Sequence, residues 1–440
     1  MVNNSKNQGS IVAIITMMFL YAMISFVTNL AAPIGVIWKN QPELAGSNTL
    51  GMMGNMMNFA AYLFMGIPAG KLLTKIGYKK TALVAIAIGF IGVFVQYLSG
   101  VLPETTLMSL PSNFYVYLLG AFIGGFCVCI LNTVVNPMLN LLGGGGNRGN
   151  QLNLIGGTLN SLTGTLTPML VGAMIGDAAK ARMDNVLPLL YIAMGIFAAV
   201  FIILMFIPIA NPQNSQTGKS LVFEHSPWAF RHFVLGVIAI FVYVGVEVGI
   251  PGTLNFYLSD SSANGGGLDP SDAAAIAGSV AATYWFLMLV GRFVAGFIAD
   301  KVSSKLMVTV TSGVAIILLL GAMFLGKSIQ TSMPAFTGSS FVMYQVPISA
   351  LLLVLCGLCT SVMWSSIFNL AVEGLGKYTE AASGIFMMMV VGGGILPLIQ
   401  NFAADNIGYM ISYIVPLIAV AYILFYAVVG SKNVNKDIPV

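Results

Sequence analysis

The chain has 440 residues, of which 58% are hydrophobic and 7% charged, and a mean hydropathy of +0.91. A soluble domain carries about a quarter charged residues, so no water-facing shell can cover a globule of this size and lipid must be the outer solvent. The formal net charge of +4 gives no reason to expect a nucleic-acid partner, and the apolar runs are continuous rather than alternating, which argues against a β-barrel.

A helix needs roughly 20 apolar residues to cross ~30 Å of hydrocarbon. Twelve segments qualify, in chain order 11–38, 50–70, 81–101, 113–142, 151–176, 187–210, 231–258, 273–299, 306–326, 345–371, 381–403 and 409–430. The first continues from Ile11 past Ala32 with no small-residue cleavage pattern, so it is read as a span and not as a signal peptide. A GGGG run at 143–146 reads as a flexible loop. The longest polar interruption, 211–229, follows span six and is read as a central cytoplasmic loop between six-helix halves at 1–210 and 230–440. All four cysteines lie in apolar runs. Cys356 and Cys359 have redox or metal spacing, but the surrounding LLLVLCGLCTSVMW is a lipid-span sequence without histidine, so a structural role at a helix contact is expected.

Lys and Arg collect on the cytoplasmic side of membrane helices. With the N-terminus inside, only Lys39, Lys180, Arg182 and Lys327 of the 18 Lys and Arg fall outside. Both termini are therefore expected in the cytoplasm, with the chain in a bacterial inner membrane. An internal repeat supports the division into halves. GKLLTKIGYKK (Gly70–Lys80) follows span two and GFIADKVSSK (Gly296–Lys305) follows span eight, each with a basic residue five positions after its first Gly and a Lys nine after. Parallel repeats of this kind build transporters that hold substrate between the halves near the bilayer midplane.

The first copy resembles the G-x-x-x-D-[RK]-x-G-[RK]-[RK] motif of the major facilitator superfamily, with Gly70, Lys75, Gly77, Lys79 and Lys80 fitting and Thr74 replacing the Asp. The second copy keeps Asp300 and Lys301 but lacks the later Gly. The resemblance implies an all-α membrane protein of the major facilitator fold, and a cytoplasmic gate at Gly70, Lys75, Gly77, Asp300 and Lys301; Arg292, near the inner end of span eight, is grouped with them. Within the superfamily, RHFVLGVIAIFVYVGVEVGI (Arg231–Ile250), the stretch Ser365–Gly408, NTVVNP (Asn132–Pro137) and LNLIGGTLNS (Leu152–Ser161) resemble the fucose permease family, symporters for fucose, galactose and glucose. Two departures stand out. Asn29-Leu30-Ala31-Ala32 puts Ala32 where that family has a proton-coupling Asp, and Asn132 stands where it has a second coupling Glu. The proton pathway of fucose permease therefore does not carry over.

Of the 14 acidic residues, Glu247 alone lies well inside a span. A charge at mid-membrane costs ~2.5–3.5 kcal/mol on insertion scales, so this carboxyl must face a cavity or a partner, or be protonated. It is the candidate coupling-ion residue, set against the plainer reading of an uncharged Glu bonded to a neighbouring helix. Its setting Y-V-G-x-E-V resembles that of glucose/galactose members of the family, among which a sodium-coupled branch is known. A hydroxyl-rich solute calls for amides, which both donate and accept, and for aromatic faces. Asn29 matches a family asparagine that faces the sugar; Asn132, Asn136, Asn153, Asn160, Tyr243, Trp364 and Asn369 complete the candidate substrate set. Asn55 and Asn58 share a helix face, as do Asn132 and Asn136. Pro33, Pro137, Pro168, Pro251 and Pro397 interrupt spans, and Gly392-Gly393-Gly394 marks span eleven as a flexing or close-packing element.

The expected function is import of a neutral monosaccharide, a fucose-, glucose- or galactose-like hexose, coupled to H+ or Na+. The alternatives are a drug or metabolite exporter, for which 26 methionines speak, and an uncoupled uniporter. No enzyme activity, cofactor or resident metal is expected. The partners are a sugar and the lipid bilayer, and the protein is expected to be monomeric.

Overall fold

The computed structural model describes residues 2–142, 146–177, 180–207, 209, 225–298, 301–375, 378–435 and 437–438. Helix α1 spans Val2–Lys39. Helices α2 and α3 are the two arms of Met53–Val101, which break at Gly77. There follow α4 (Ser112–Leu142), α5 (Gly146–Ile175), α6 (Leu187–Phe206), α7 (Arg231–Ser259), α8 (Ala273–Ile298) and α9 (Ser304–Leu325). Helix α10 runs as Ile348–Thr360 and Met363–Val372, α11 as Thr379–Met389 and Gly392–Ile407, and α12 from Tyr409 to the π turn Tyr426–Gly430. Of the loop expected at 211–229, residues 211–224 lie outside the described residues; Pro227–Ala229 forms a 3-10 turn.

Ten helices are long and apolar enough to cross a membrane among the described residues. The other two crossings, α2 and α5, are long enough but less apolar, and each packs against a helix of the other half. Asn55 of α2 donates to the Gly393 carbonyl of α11 at 2.8 Å. On α5 and α8 the backbones meet at Gly172 and Gly278, where a Cβ on either would strike the facing helix. By contrast, α6 and α9 turn Ile192, Ile202, Ile203, Val310 and Ile317 outward, as expected where the solvent is lipid. Helix α7 is the innermost: every residue from Tyr243 to Ser259 is buried except Glu247.

The connection between α2 and α3 is shorter than the sequence suggested. Helical geometry persists up to Gly77, whose φ of 80° and ψ of 171° lie in a region essentially reserved for glycine. Lys79, just beyond, donates to the Met205 carbonyl at the last turn of α6 at 2.8 Å. Lys305, its counterpart in the repeat, donates to the Val428 carbonyl of α12 at 3.0 Å. Each copy thus fastens the start of the third helix of its half to the end of the sixth, where carbonyls lack helical partners and the helix dipole is negative.

Two ribbons interrupt the helical architecture. β1 (Thr106–Leu107) and β2 (Leu110–Pro111) close a turn at Met108 and Ser109, both at positive φ. β3 (Gln330–Phe336) pairs antiparallel with β4 (Phe341–Pro347), from Gln330↔Pro347 to Phe336↔Phe341. This hairpin occupies the start of the tenth span as read from sequence, so α10 begins at Ile348 instead of residue 345. Its β-branched and aromatic residues Phe341, Val342, Tyr344 and Val346 suit a strand, and Ser279 Oγ of α8 accepts from Phe336 N at 2.8 Å.

At the end opposite the chain termini, a polar cluster ties the two halves together. Lys39, at the end of α1, is only 1% exposed. Its Nζ donates to Asn48 Oδ1 at 2.8 Å and to the Tyr409 hydroxyl at 2.7 Å, lies 3.9 Å from Asp260 Oδ2, and sits over the Phe256 ring. Asp405 of α11 accepts from the backbone N–H of Asn48 and Thr49 at 2.7 and 2.9 Å, and from Ser47 and Thr49 hydroxyls. That carboxylate from one half therefore caps the chain entering α2 of the other.

Candidate functional site

The interior between the halves holds two polar groupings. The first is a narrow pocket lined by Thr28 and Asn29 of α1, Asn55 of α2, Asn255 of α7 and Trp285 of α8, with Ala32, Pro168 and Pro251 among its walls. It carries amides, a hydroxyl and an indole face but no charged group. Asn29 Nδ2 donates to the Ser25 carbonyl and hydroxyl at 2.9 and 3.0 Å, which aims its carboxamide from the wall of α1. Pro33, one turn later, leaves the Asn29 backbone carbonyl without its usual helical donor.

The second grouping lies toward the termini and is built around Glu247. Its Oε1 accepts from the Tyr243 hydroxyl at 2.9 Å and from Arg292 Nη2 at 3.2 Å. Arg292 also reaches α5, donating from Nη1 to Ser161 Oγ at 3.0 Å and to the Gly157 carbonyl at 3.3 Å. Tyr243 lies 3.2 Å from the Thr360 carbonyl and packs its ring against Trp364 at 6.2 Å between centroids. The side chains of Arg292 and Glu247 are 16% and 13% exposed, so the pair is largely buried where α7, α8 and α5 meet. Pro251 also frees the Glu247 backbone carbonyl, one turn earlier.

Across α1, α4 and α5, Tyr21 joins the candidate asparagines. Its hydroxyl bonds Asn136 Oδ1, and its carbonyl accepts from Asn160 Nδ2 at 3.1 Å. Asn132 Nδ2 donates to the Tyr62 hydroxyl at 2.9 Å, and Asn136 Nδ2 to the Asn132 carbonyl at 3.0 Å. The expected substrate set therefore divides. Asn29 lines the pocket; Asn132, Asn136 and Asn160 belong with Tyr21; Tyr243 and Trp364 belong with Glu247. Asn369 is exposed, and the side chain of Asn153 lies outside the described residues.

Residues 14–398 match the sequence profile of the Major Facilitator Superfamily. The chain belongs to the major facilitator superfamily. It is 32% identical over 438 residues to a glucose/galactose transporter of Brucella abortus, covering 98% of this chain and 96% of that one. Over 396 residues it is 28% identical to a putative glucose/galactose transporter of Helicobacter pylori, covering 85% and 86% of the two chains. With the L-fucose-proton symporter of Escherichia coli the identity is 21% over 404 residues, covering 86% of this chain and 84% of that one. In three dimensions the chain superposes on the outward conformation of FucP with a TM-score of 0.63 at 18% identity, covering 94% and 98% of the two chains. The nucleoside transporter NupG gives 0.59 at 14% identity, covering 94% and 97%. These solved structures establish the superfamily fold, and the sequence relatives place the chain in its fucose permease-like branch. It is a multi-pass membrane transporter and not an enzyme.

Against that family, Ala32 lines the pocket and Asn132 sits among neutral partners, so neither replaced acid has a substitute carboxylate at its own position. The motif residues behave unevenly. Gly77 makes the α2–α3 turn, Lys75 and Lys301 are exposed, and Gly70 is half-buried. Asp300 lies outside the described residues. Arg292, grouped with these from its place near the end of α8, lies six positions before Ile298, pairs with Glu247 and also bonds to α5 of the other half. Asn55 and Asn58 also part company. Asn55 reaches α11 and the pocket, whereas Asn58 is 1% exposed and lies by Gly124 and Gly125 of α4.

Tyr21 and Ser161 were not among the candidates, whereas Asn255 and Trp285 belong to the wider set of intramembrane amides and aromatics that the sequence offers for a sugar. Tyr21 had a usable signal: Tyr21, Ser25 and Asn29 recur every four residues, a polar stripe along one face of α1. Ser161 had none, since a lone serine in a glycine-rich helix is indistinguishable from packing.

Proposed function

We propose that the protein is a secondary active transporter that imports a neutral hexose-like monosaccharide together with a cation, H+ or Na+, by alternating access. Glu247 carries this reading. It is the only residue of the Tyr243–Ser259 run that is not buried, and its carboxylate meets the guanidinium that reaches across to α5 of the other half. The uncharged pocket beside it offers amides to sugar hydroxyls and Trp285 to the apolar face of a pyranose ring, a division of labour common in small-molecule sites. The names borne by the Brucella and Helicobacter relatives support the same substrate class.

In this reading the termini face the cytoplasm of a bacterial cell, the protein resides in the inner membrane and works as a monomer, and the polar cluster at Lys39 and Asp405 closes the external side. Gly70, Lys75, Gly77, Arg292, Asp300 and Lys301 belong to the cytoplasmic gate.

Uptake into proteoliposomes over a panel of neutral sugars, with Na+ and pH gradients imposed separately, tests the proposal. Accumulation of a hexose driven by one of the two gradients is expected, and uptake that only equilibrates would make the protein a uniporter. Glu247→Gln should lose accumulation while still exchanging labelled sugar. Asn29→Ala should raise the half-saturating sugar concentration about tenfold, the equivalent of one lost hydrogen bond of ~1.4 kcal/mol, with normal yield of folded protein. An unchanged value would remove Asn29 from the site.

A further inference from the structure

A second cavity opens at the end of the molecule opposite the chain termini, lined entirely by the N-terminal half. It encloses about 330 Å³, inside the ~300–1,000 Å³ range of small-molecule sites. The pocket between the halves holds about 20 Å³, room for one water. In this conformation the outer cavity admits a solute that the central pocket does not. Its walls include Trp38 and Gln41 at and just past the end of α1, Glu104 beyond α3, Asn113 at the start of α4, and Arg182 and Asp184 before α6. Two amides brace them. Gln41 Nε2 donates to the Ile37 and Ala181 carbonyls at 3.1 and 2.9 Å, tying α1 to the segment before α6. Asn113 Nδ2 donates to the Ser99 and Leu102 carbonyls at 2.9 and 3.0 Å.

We propose that this cavity is a second binding site, for a neutral polyhydroxylated solute of the monosaccharide class, occupied while the central pocket is shut. Hydroxyls need donors and acceptors together, and the cavity supplies both. The N–H groups of Gln41 are spent on backbone carbonyls, which leaves its carboxamide oxygen as an acceptor. Trp38, packed on Phe114 and Tyr117, is 4% exposed, and its Nε1–H has no acceptor among the described residues. A buried donor without a partner is costly, and a ligand oxygen would satisfy it. Arg182 Nη2 and Glu104 Oε2 stand 3.7 Å apart, too far for a direct hydrogen bond. A hydroxyl placed between them would accept from one and donate to the other. Glu104 and Asp184 against Arg182 leave an excess of negative charge, which disfavours an anionic ligand. No group of three His, Cys, Asp or Glu among the described residues could hold a metal ion. The choice of a hexose as ligand rests on the proposed function.

Leu102 lines the cavity, is 43% exposed and brings no polar side-chain atom, so Leu102→Cys places a reporter there. The four natural cysteines are buried. The full chain, in nanodiscs of phosphatidylcholine, whose headgroup has no free hydroxyl, is labelled with a maleimide under increasing D-glucose or D-galactose. At least one of the two should slow labelling severalfold. In the Leu102→Cys background, Asp184→Ala, at an exposed position, should raise the protecting concentration about tenfold, the loss expected for a hydrogen bond to a charged group. Trp38→Phe, which keeps a ring and removes the N–H, should raise it as well. Asn29→Ala should leave it unchanged, because the central pocket is a separate site. No protection by either hexose, or protection indifferent to both Asp184→Ala and Trp38→Phe, would overturn the proposal. So would a midpoint that moves with Asn29→Ala, since the label would then be sensing the central pocket. Protection without carriage of any sugar would sink the transport reading and leave this cavity standing. Cation-driven uptake of a hexose without protection at Leu102→Cys would do the reverse.

Discussion

Asn55 and Gly393 complete each other's hydrogen bonding across the two halves. Pro397 has no N–H to offer the carbonyl four residues before it, and that carbonyl belongs to Gly393, which accepts from Asn55 Nδ2 at 2.8 Å instead. Asn55 is 1% exposed, so neither group has water to fall back on. Replacing Asn55 by Leu should leave the carbonyl unsatisfied at a cost of ~1–3 kcal/mol, visible as a lower thermal midpoint in detergent. Adding Pro397→Ala should restore much of the loss, because residue 397 then supplies the missing donor from within α11. Absence of rescue would mean that the Asn55 contact is incidental.

The cluster around Lys39 and Asp405 closes one end of the molecule. Asp405→Ala removes the acceptor for the Asn48 and Thr49 amides, a loss equivalent to a helix N-cap of ~0.5–2 kcal/mol. Populations should shift toward a form open at that end. A cysteine placed at Ala281, in the pocket wall, should then react faster with an impermeant maleimide added from that side. An unaltered rate would show that the cluster does not hold the end shut.

Asp260 gives the same cluster an acid limit. Burial pushes its carboxyl up, but the Lys39 ammonium and hydrogen bonds from Ser262 and Tyr409 outweigh this and hold it below the usual carboxylate range. A carboxyl depressed in the folded state contributes stability that is complete above its unfolded value, ~3.9 for Asp, and lost as pH falls through the folded one. The contribution of Asp260 to the thermal midpoint should therefore be constant from neutrality to about pH 5 and fade below about pH 4. Asp260→Asn should flatten that acid limb; an identical limb in the variant would contradict the assignment.

Gly77 and Gly70 belong to one motif but should respond differently to alanine. Gly77 has a backbone conformation that costs a non-glycine residue ~1–3 kcal/mol, and Gly77→Ala should lower the thermal midpoint accordingly. At Gly70 a Cβ meets nothing within 4 Å, so Gly70→Ala should stay within about 0.5 kcal/mol of the natural protein. Similar losses at both would mean that the turn is not what the motif preserves.

The spans were legible because lipid imposes one rule on every crossing: hydrocarbon length without charge. Most ends, such as Leu187 for α6 and Tyr409 for α12, fell within a few residues of their sequence positions. The β3–β4 hairpin was not legible, because Met343 and Val346 are as apolar as a helix start and the ribbon lies in a linker that hydropathy does not interpret. Glu247 stood out as a charge inside a span. Its pairing with Arg292 did not, since the two are 45 positions apart and one appeared to belong to a helix end. Residues such as Asn132 and Asn160 had the right chemistry for sugar, yet the amide that binds a solute and the amide that binds a tyrosine are the same amide until the neighbouring helix is in place.

Lys79 and Lys305 each close a loop of helices without reaching over to the other six. If the chain were severed within the stretch between α6 and α7, each fragment would retain its own knot of lysine and terminal carbonyl. Two polypeptides made separately would then meet as finished parts, and the surfaces left to find each other would be those of α1 with α7, α2 with α11 and α5 with α8. What must stay loose for carriage would be kept apart from what must stay fixed.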